Sequence, residues 1–278
     1  MKRLFTIGII TLGILGLTAC GAKSETGENT NENATSNATS TEITVGATAV
    51  PHAEILNEVV DDLEAKGITL NIKEFSDYSL LNRSLEEGQL DANFFQHTSY
   101  LNEDMKNSGA KLTSVGPVHT EPMGIYSKKI TSLEEIEEGA KVSIPNDASN
   151  GSRALLLLAE NGLITLKEGV EEGVTVLDIE ENPKNIEIME LDAATLPRTL
   201  DEVSISVINT NYALSGGLNP MEDSIAIEGS DSPYANILVV REGDENREEI
   251  KALYEALTTE EIKTFIEEKY EGAIVPAF

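Results

Sequence analysis

The sequence predicts an α/β fold in two lobes, each a mostly parallel sheet flanked by helices, with two crossing segments as a hinge. Three observations predict it. From residue 42 onward, strand-like runs alternate with runs of helical period, which is the pattern of repeated β-α-β units. Two extended segments, Glu121–Lys129 and Ala235–Arg241, interrupt that alternation and read as crossings. No short-period repeat is visible, so a solenoid is set aside. The expected division places 42–123 plus 240–278 in one lobe and 124–239 in the other.

Before the fold comes a leader. Met1-Lys-Arg is a basic start, and Leu4–Leu17 is an apolar run too short to predict a spanning helix. It ends in Leu17-Thr-Ala-Cys20, which resembles the lipobox of a bacterial lipoprotein signal. That resemblance implies a signal peptide over 1–19 and cleavage before Cys20. It also implies a diacylglyceryl thioether on the Cys20 sulfur and a fatty-acyl chain (palmitate) on its amine. Each buried CH₂ of such chains contributes roughly 0.8 kcal/mol, which would anchor the protein stably. Residues 20–41 are Ser, Thr, Asn, Glu and Gly with almost no apolar residue, a composition that predicts a disordered tether.

The elements follow in order. Glu42–Gly46 is a first strand, and Pro51 suits a helix start. Ile55, Leu56, Val59, Val60 and Leu63 mark a helix over His52–Lys66, ended by Gly67. Ile68–Lys73 is a second strand with Tyr78 beyond its end, and a helix through Leu81 and Leu85 closes at Gly88. Leu90–Phe95 is a third strand, His97–Ser108 a helix stopped by Gly109, and Lys111–Val115 a further strand. The second series has a short helix over Ser132–Glu138, a strand over Ala140–Ile144 and a turn over Pro145–Gly151. A Leu-rich helix over Ser152–Glu160, strands at Ile186–Glu190 and Val203–Ile208, and two acidic helices within Asp244–Lys269 complete it.

Composition narrows the function. A net charge of −29 argues against nucleic acid and against a basic membrane-binding face. A single cysteine excludes an intrachain disulfide. No nucleophile elbow, P-loop or Rossmann glycine pattern is present, so an enzyme is not expected and no cofactor is implied. His52, His97 and His119 have no ligand spacing, which leaves a metal-binding lipoprotein as a lesser reading.

The chemistry concentrates in few places. In a chain poor in aromatics, Phe94, Phe95, His97 and Tyr100 fall within seven residues at a strand end, where α/β folds bind ligands. Phe94 is expected in the core, whereas Phe95, His97 and Tyr100, with Tyr78 at the same rim, suit a small-molecule pocket. Arg153 opens a helix and offers a fork for a carboxylate, or else pairs with one of the many acids. Asn209 and Asn211 follow a strand, where they could serve a zwitterion or cap a turn. An aromatic wall would suit a thioether, since sulfur–aromatic contacts contribute about 0.3–1.5 kcal/mol.

The segments LDANFFQHTSYL, SVGPVHTEPMGIYSKK, ENPKNIEIMEL, NTNYAL and SPYANILVVREGD together resemble the methionine-binding lipoproteins of the NlpA type. The resemblance spans the chain after the tether. It implies a periplasmic-binding-protein (type II) clamshell that closes on one methionine. L-methionine is the expected cargo, with D-methionine or a methionine-containing dipeptide as the alternative. It also implies an ABC permease with its ATPase subunit as partner, a monomer, and attachment to the extracytoplasmic face of the cell membrane. Carried onto this sequence, Tyr78, Phe95, His97 and Tyr100 would surround the side chain, Arg153 would take the carboxylate, and Asn209 and Asn211 would form the opposite wall. The sequence departs from the common pattern at Thr210, at Ala49-Val50 and over Asn146–Gly151.

Overall fold

A computed structural model of the protein describes residues 41–170, 172–229 and 232–278. The expected signal peptide and Cys20, and all of the expected tether except residue 41, lie outside the described residues.

Strand β1 (Thr41–Ala47) buries Ile43, Val45 and Ala47 completely. The predicted helix after it is bent: a π turn (Ala49–Ala53) leads into α1 (Glu54–Glu58) and α2 (Val60–Ala65), which break at Val59. Ile55, Leu56, Val59 and Leu63 form its buried stripe. Gly67, at φ +76°, reverses the chain into β2 (Ile68–Glu74). Helix α3 (Leu81–Glu86) leads to β3 (Ala92–His97), which turns directly into α4 (Thr98–Ser108) and then β4 (Leu112–Thr120).

Three residues, 121–123, carry the chain to β5 (Gly124–Tyr126) in a second sheet. There follow β6 (Lys141–Pro145), α5 (Ala148–Glu160), β7 (Thr165–Leu166), β8 (Ile179–Glu181) and β9 (Glu187–Leu191). Then come α6 (Leu196–Thr199), β10 (Ile205–Ile208), α7 (Thr210–Ser215), α8 (Pro220–Asp223) and β11 (Ser224–Ile227). The chain returns to the first sheet as β12 (Ala235–Arg241) and ends with α9 (Glu248–Leu257), α10 (Glu260–Tyr270) and β13 (Val275–Pro276).

The first sheet has the order β13-β4-β12-β3-β1-β2 and the second β11-β5-β10-β6-β9, while β7 and β8 pair alone. Both sheets are mixed where mostly parallel sheets were expected. Strands joined by helical crossovers run parallel: β1 with β2 and β3, and β6 with β9 and β10. Strands next to the crossings run antiparallel: β12 with β3 and β4, and β5 with β10 and β11. A chain that arrives from the other lobe enters from the opposite end, so its strand direction is reversed. Each sheet has its own apolar core, one centred on Ile43, Phe94 and Leu238 and the other on Ile125, Val142 and Leu158.

Several local expectations are corrected. Of the predicted crossing Glu121–Lys129, only the first three residues cross; Gly124–Tyr126 is strand β5. Ala235–Arg241 is not a crossing but a central strand, and the expected lobe boundary at 240 falls inside it. The helix predicted over Ser132–Glu138 shrinks to one 3-10 turn, Leu133–Glu135, because Ile136 turns extended to bury its side chain. Helix α5 starts at Ala148, inside the predicted turn over Pro145–Gly151, because Asp147 caps it by accepting from the Asn150 N–H at 2.8 Å.

Candidate ligand-binding site

The cavity lies where the two sheets face each other. It holds about 320 Å³ of space, part of it open to solvent, and is lined by residues of both lobes and by Glu121 of the first crossing. All seven side chains expected to bind a ligand line it: Tyr78, Phe95, His97, Tyr100, Arg153, Asn209 and Asn211. Phe94, on the other face of β3, is fully buried in the core beneath His52 and His119, as expected.

One wall is aromatic. The rings of Tyr78, Phe95 and Tyr100 sit 5.5–5.8 Å apart, centroid to centroid. Pleat alternation sends Phe94 to the core and Phe95 to the cleft. His97 ends β3 and caps α4: its Nδ1 accepts from the Tyr100 N–H at 3.2 Å. Its Nε2 therefore carries the proton and donates to Asn150 Oδ1 at 3.2 Å, on the other lobe. Burial, with the Arg153 charge nearby, lowers the His97 pKa to about 3, so the ring is neutral.

The other wall is polar. Asn209 donates to Asn150 Oδ1 at 2.8 Å. Tyr78 donates to Asn211 Oδ1, and Tyr212 to the Ser76 carbonyl at 3.3 Å, so these contacts also span the cleft. Asn209 Oδ1 and Asn211 Nδ2 are buried and have no hydrogen-bond partner among the described residues. Buried amide atoms without partners are costly, about 1–3 kcal/mol each, and a pair of them facing one cavity offers one acceptor and one donor to a ligand.

Arg153 is buried from water and held on several sides. Its Nε donates to Glu228 Oε1 at 2.7 Å, and its Nη2 donates to Glu228 Oε2 at 2.5 Å and to the Glu121 carbonyl at 2.7 Å. The Tyr234 ring lies 4.2 Å from the guanidinium carbon. Of the two readings for Arg153, the internal ion pair is present, and its fork is shared with the protein itself.

Sequence reasoning missed five further lining residues: Gln96, Glu121, Asn150, Thr210 and Asn236. Asn150 lies one helical turn before Arg153 and would have been found had the turn been read as helix. Glu121 and Asn236 stand in or beside the crossings, and nothing in their local pattern separates them from other Glu and Asn residues. Glu121 is fully buried, which raises its pKa against the opposing pull of His52, Arg153 and the Asn211 N–H.

His52, His119 and Glu121 form a tight buried group, whereas His97 stands apart on Asn150. Glu121 Oε1 lies 2.8 Å from His119 Nε2 and 3.2 Å from His52 Nε2. A metal on His119 Nε2 would force the proton onto Nδ1, a buried atom with no partner among the described residues. With the proton on Nε2, that ring donates to Glu121 and only an acceptor lone pair is left unpaired. The group therefore fits a hydrogen-bonded cluster better than a metal centre.

The family described as NlpA lipoprotein matches residues 43–278. The chain is 42% identical over 284 residues to the methionine-binding lipoprotein MetQ of Bacillus subtilis, covering 99% of each. It is 43% identical over 225 residues to the D-methionine-binding lipoprotein MetQ of Escherichia coli, covering 80% of this chain and 82% of that one. A nutrient binding protein from Burkholderia cenocepacia, solved bound to methionine, superposes with a TM-score of 0.81 at 45% identity, over 85% of this chain and all of that one.

Proposed function

The chain belongs to the NlpA lipoprotein family, and on that footing we propose that it captures methionine between its lobes for an ABC importer. The observation that carries this reading is that two amide atoms without partners among the described residues, Asn209 Oδ1 and Asn211 Nδ2, share one cavity with an aromatic wall. Asn209 Oδ1 accepts from the ligand ammonium, and Asn211 Nδ2 with Arg153 serves the carboxylate. The thioether lies against Tyr78, Phe95 and Tyr100, while His97, neutral, adds no charge to an already polar end. With about nine heavy atoms and a ceiling near 1.5 kcal/mol per atom, methionine can be held at nanomolar strength.

L-methionine is the cargo this reading expects. The name of the Escherichia coli relative makes D-methionine the second reading, and a methionine-containing dipeptide the third. The protein is a binding protein without a catalytic role, a monomer, anchored through lipid on Cys20 at the extracytoplasmic face. Its partner is a membrane permease driven by a separate ATPase subunit. Among the described residues no helix is long and apolar enough to cross a membrane.

Isothermal titration of the detergent-solubilised protein, refolded to strip carried-over ligand, tests the reading. L-methionine, D-methionine, Gly-Met and a zinc salt are the titrants. Tight L-methionine binding that is lost in Arg153→Ala supports it. Binding of Gly-Met alone moves the cargo to a peptide, and binding of zinc alone overturns the reading.

A further inference from the structure

We infer that Glu228 is the positioning residue for Arg153, and that it restricts carboxylate recognition to a single guanidinium nitrogen. The inference deepens the methionine reading and rests on it. A guanidinium has five N–H groups. Glu228 takes the one on Nε and one on Nη2, and the Glu121 carbonyl takes the other on Nη2. Only the two on Nη1 have no hydrogen-bond partner among the described residues. The bidentate face, the geometry for which Arg is best suited, is therefore used inside the protein, and a ligand carboxylate meets Nη1 alone.

Glu228 is itself held fast. Its Oε2 accepts from the Met123 N–H at 2.9 Å and from Ser232 Oγ at 3.2 Å. Its own N–H donates to the Met123 carbonyl at 3.0 Å. The carboxylate is thus tied to the first crossing, and it fixes the guanidinium plane against the Tyr234 ring. It also neutralises the Arg153 charge in a place where water cannot. A ligand carboxylate then finds a donor of fixed direction, with Asn211 Nδ2 lining the same cavity as the second donor.

The test compares methionine with methionine amide, which keeps shape and ammonium but lacks the carboxylate charge. In the full-length protein, methionine is expected to bind at least tenfold more tightly than the amide, since a charge-assisted hydrogen bond is lost. Glu228→Gln keeps the volume but presents an N–H to one guanidinium nitrogen, so Arg153 loses its orientation. In that variant methionine affinity should fall at least tenfold, while the amide changes by less than about threefold, bringing their ratio toward one. An equal loss for both ligands would mean a merely structural role and would overturn the inference. A rise in the ratio would make Glu228 a competitor for Arg153 and would overturn it too. If Glu228→Gln does not fold by circular dichroism, Glu228→Asp takes its place; it keeps the charge but is too short to span both nitrogens, and the same fall in ratio is expected. Wild-type protein that bound neither ligand would instead overturn the methionine reading itself.

Discussion

Tyr78, just past the end of β2, donates its phenol hydrogen to the side-chain oxygen of Asn211 on α7, so one hydrogen bond joins the aromatic wall to the polar wall across the cleft. Tyr78→Phe removes it and leaves Asn211 Oδ1 without a partner among the described residues. A buried polar group left unpaired costs about 1–3 kcal/mol, so methionine affinity should fall roughly tenfold. Calorimetry on Tyr78→Phe checks this, and unchanged affinity would show that the bond contributes nothing to the closed form.

His119 sets a pH dependence. Burial lowers its pKa to about 3 from an ordinary 6.5. Below pH 6.5 the unfolded chain binds a proton that the folded protein refuses. Its contribution to stability is therefore complete above pH 6.5 and is lost as pH falls toward 3, at about 1.4 kcal/mol per pH unit. His119→Gln should reduce the slope of unfolding free energy against pH, between pH 6 and 4, by about that amount. Urea titrations of both proteins at several pH values measure it; equal slopes would contradict the sign and the assignment.

Gly151 lets α5 approach β6. A Cβ there would lie 2.9 Å from the Pro145 carbonyl oxygen, which is backbone and cannot swing away. Gly151→Ala must shift the first turn of α5, and with it Asn150 and Arg153. Overpacking of this kind costs about 1–3 kcal/mol of stability. Both the urea midpoint and methionine affinity should drop, and a variant with a lower midpoint but full affinity would separate packing from positioning.

Cys20 is the anchor of the proposed attachment. Cys20→Ser removes the thioether, and the protein should pass from the membrane fraction to the soluble fraction. Cell fractionation with labelled palmitate reads both outcomes, and a variant still bound to membranes would point to an anchor elsewhere.

Much of this was legible because period and punctuation agree with tertiary packing. The stripe Ile55, Leu56, Leu63 and the glycine stops at 67 and 109 carry their own explanation. The aromatic wall was legible too, because pleat alternation at Phe94 and Phe95 decides which ring faces the cleft. What was not legible depends on partners far away in sequence. Glu228 is one of 49 acids, and only its distance to Arg153 distinguishes it. The mixed strand order was hidden for the same reason, since β12 reads from sequence only as an extended crossing segment until its neighbours β3 and β4 are known. The start of α5 was lost to composition: Asn, Asp, Ser and Gly favour turns, and here the same residues build a capped helix.

The cavity has walls from both lobes, tied together by Tyr78 with Asn211, His97 with Asn150 and Tyr212 with Ser76. Separation of the lobes to release a ligand requires those ties to part. The ligand's residence time is then governed by how often the lobes separate rather than by how strongly its own atoms are held. Methionine analogues of very different affinity should share one slowest escape rate, and that rate should respond to substitutions that touch no ligand atom.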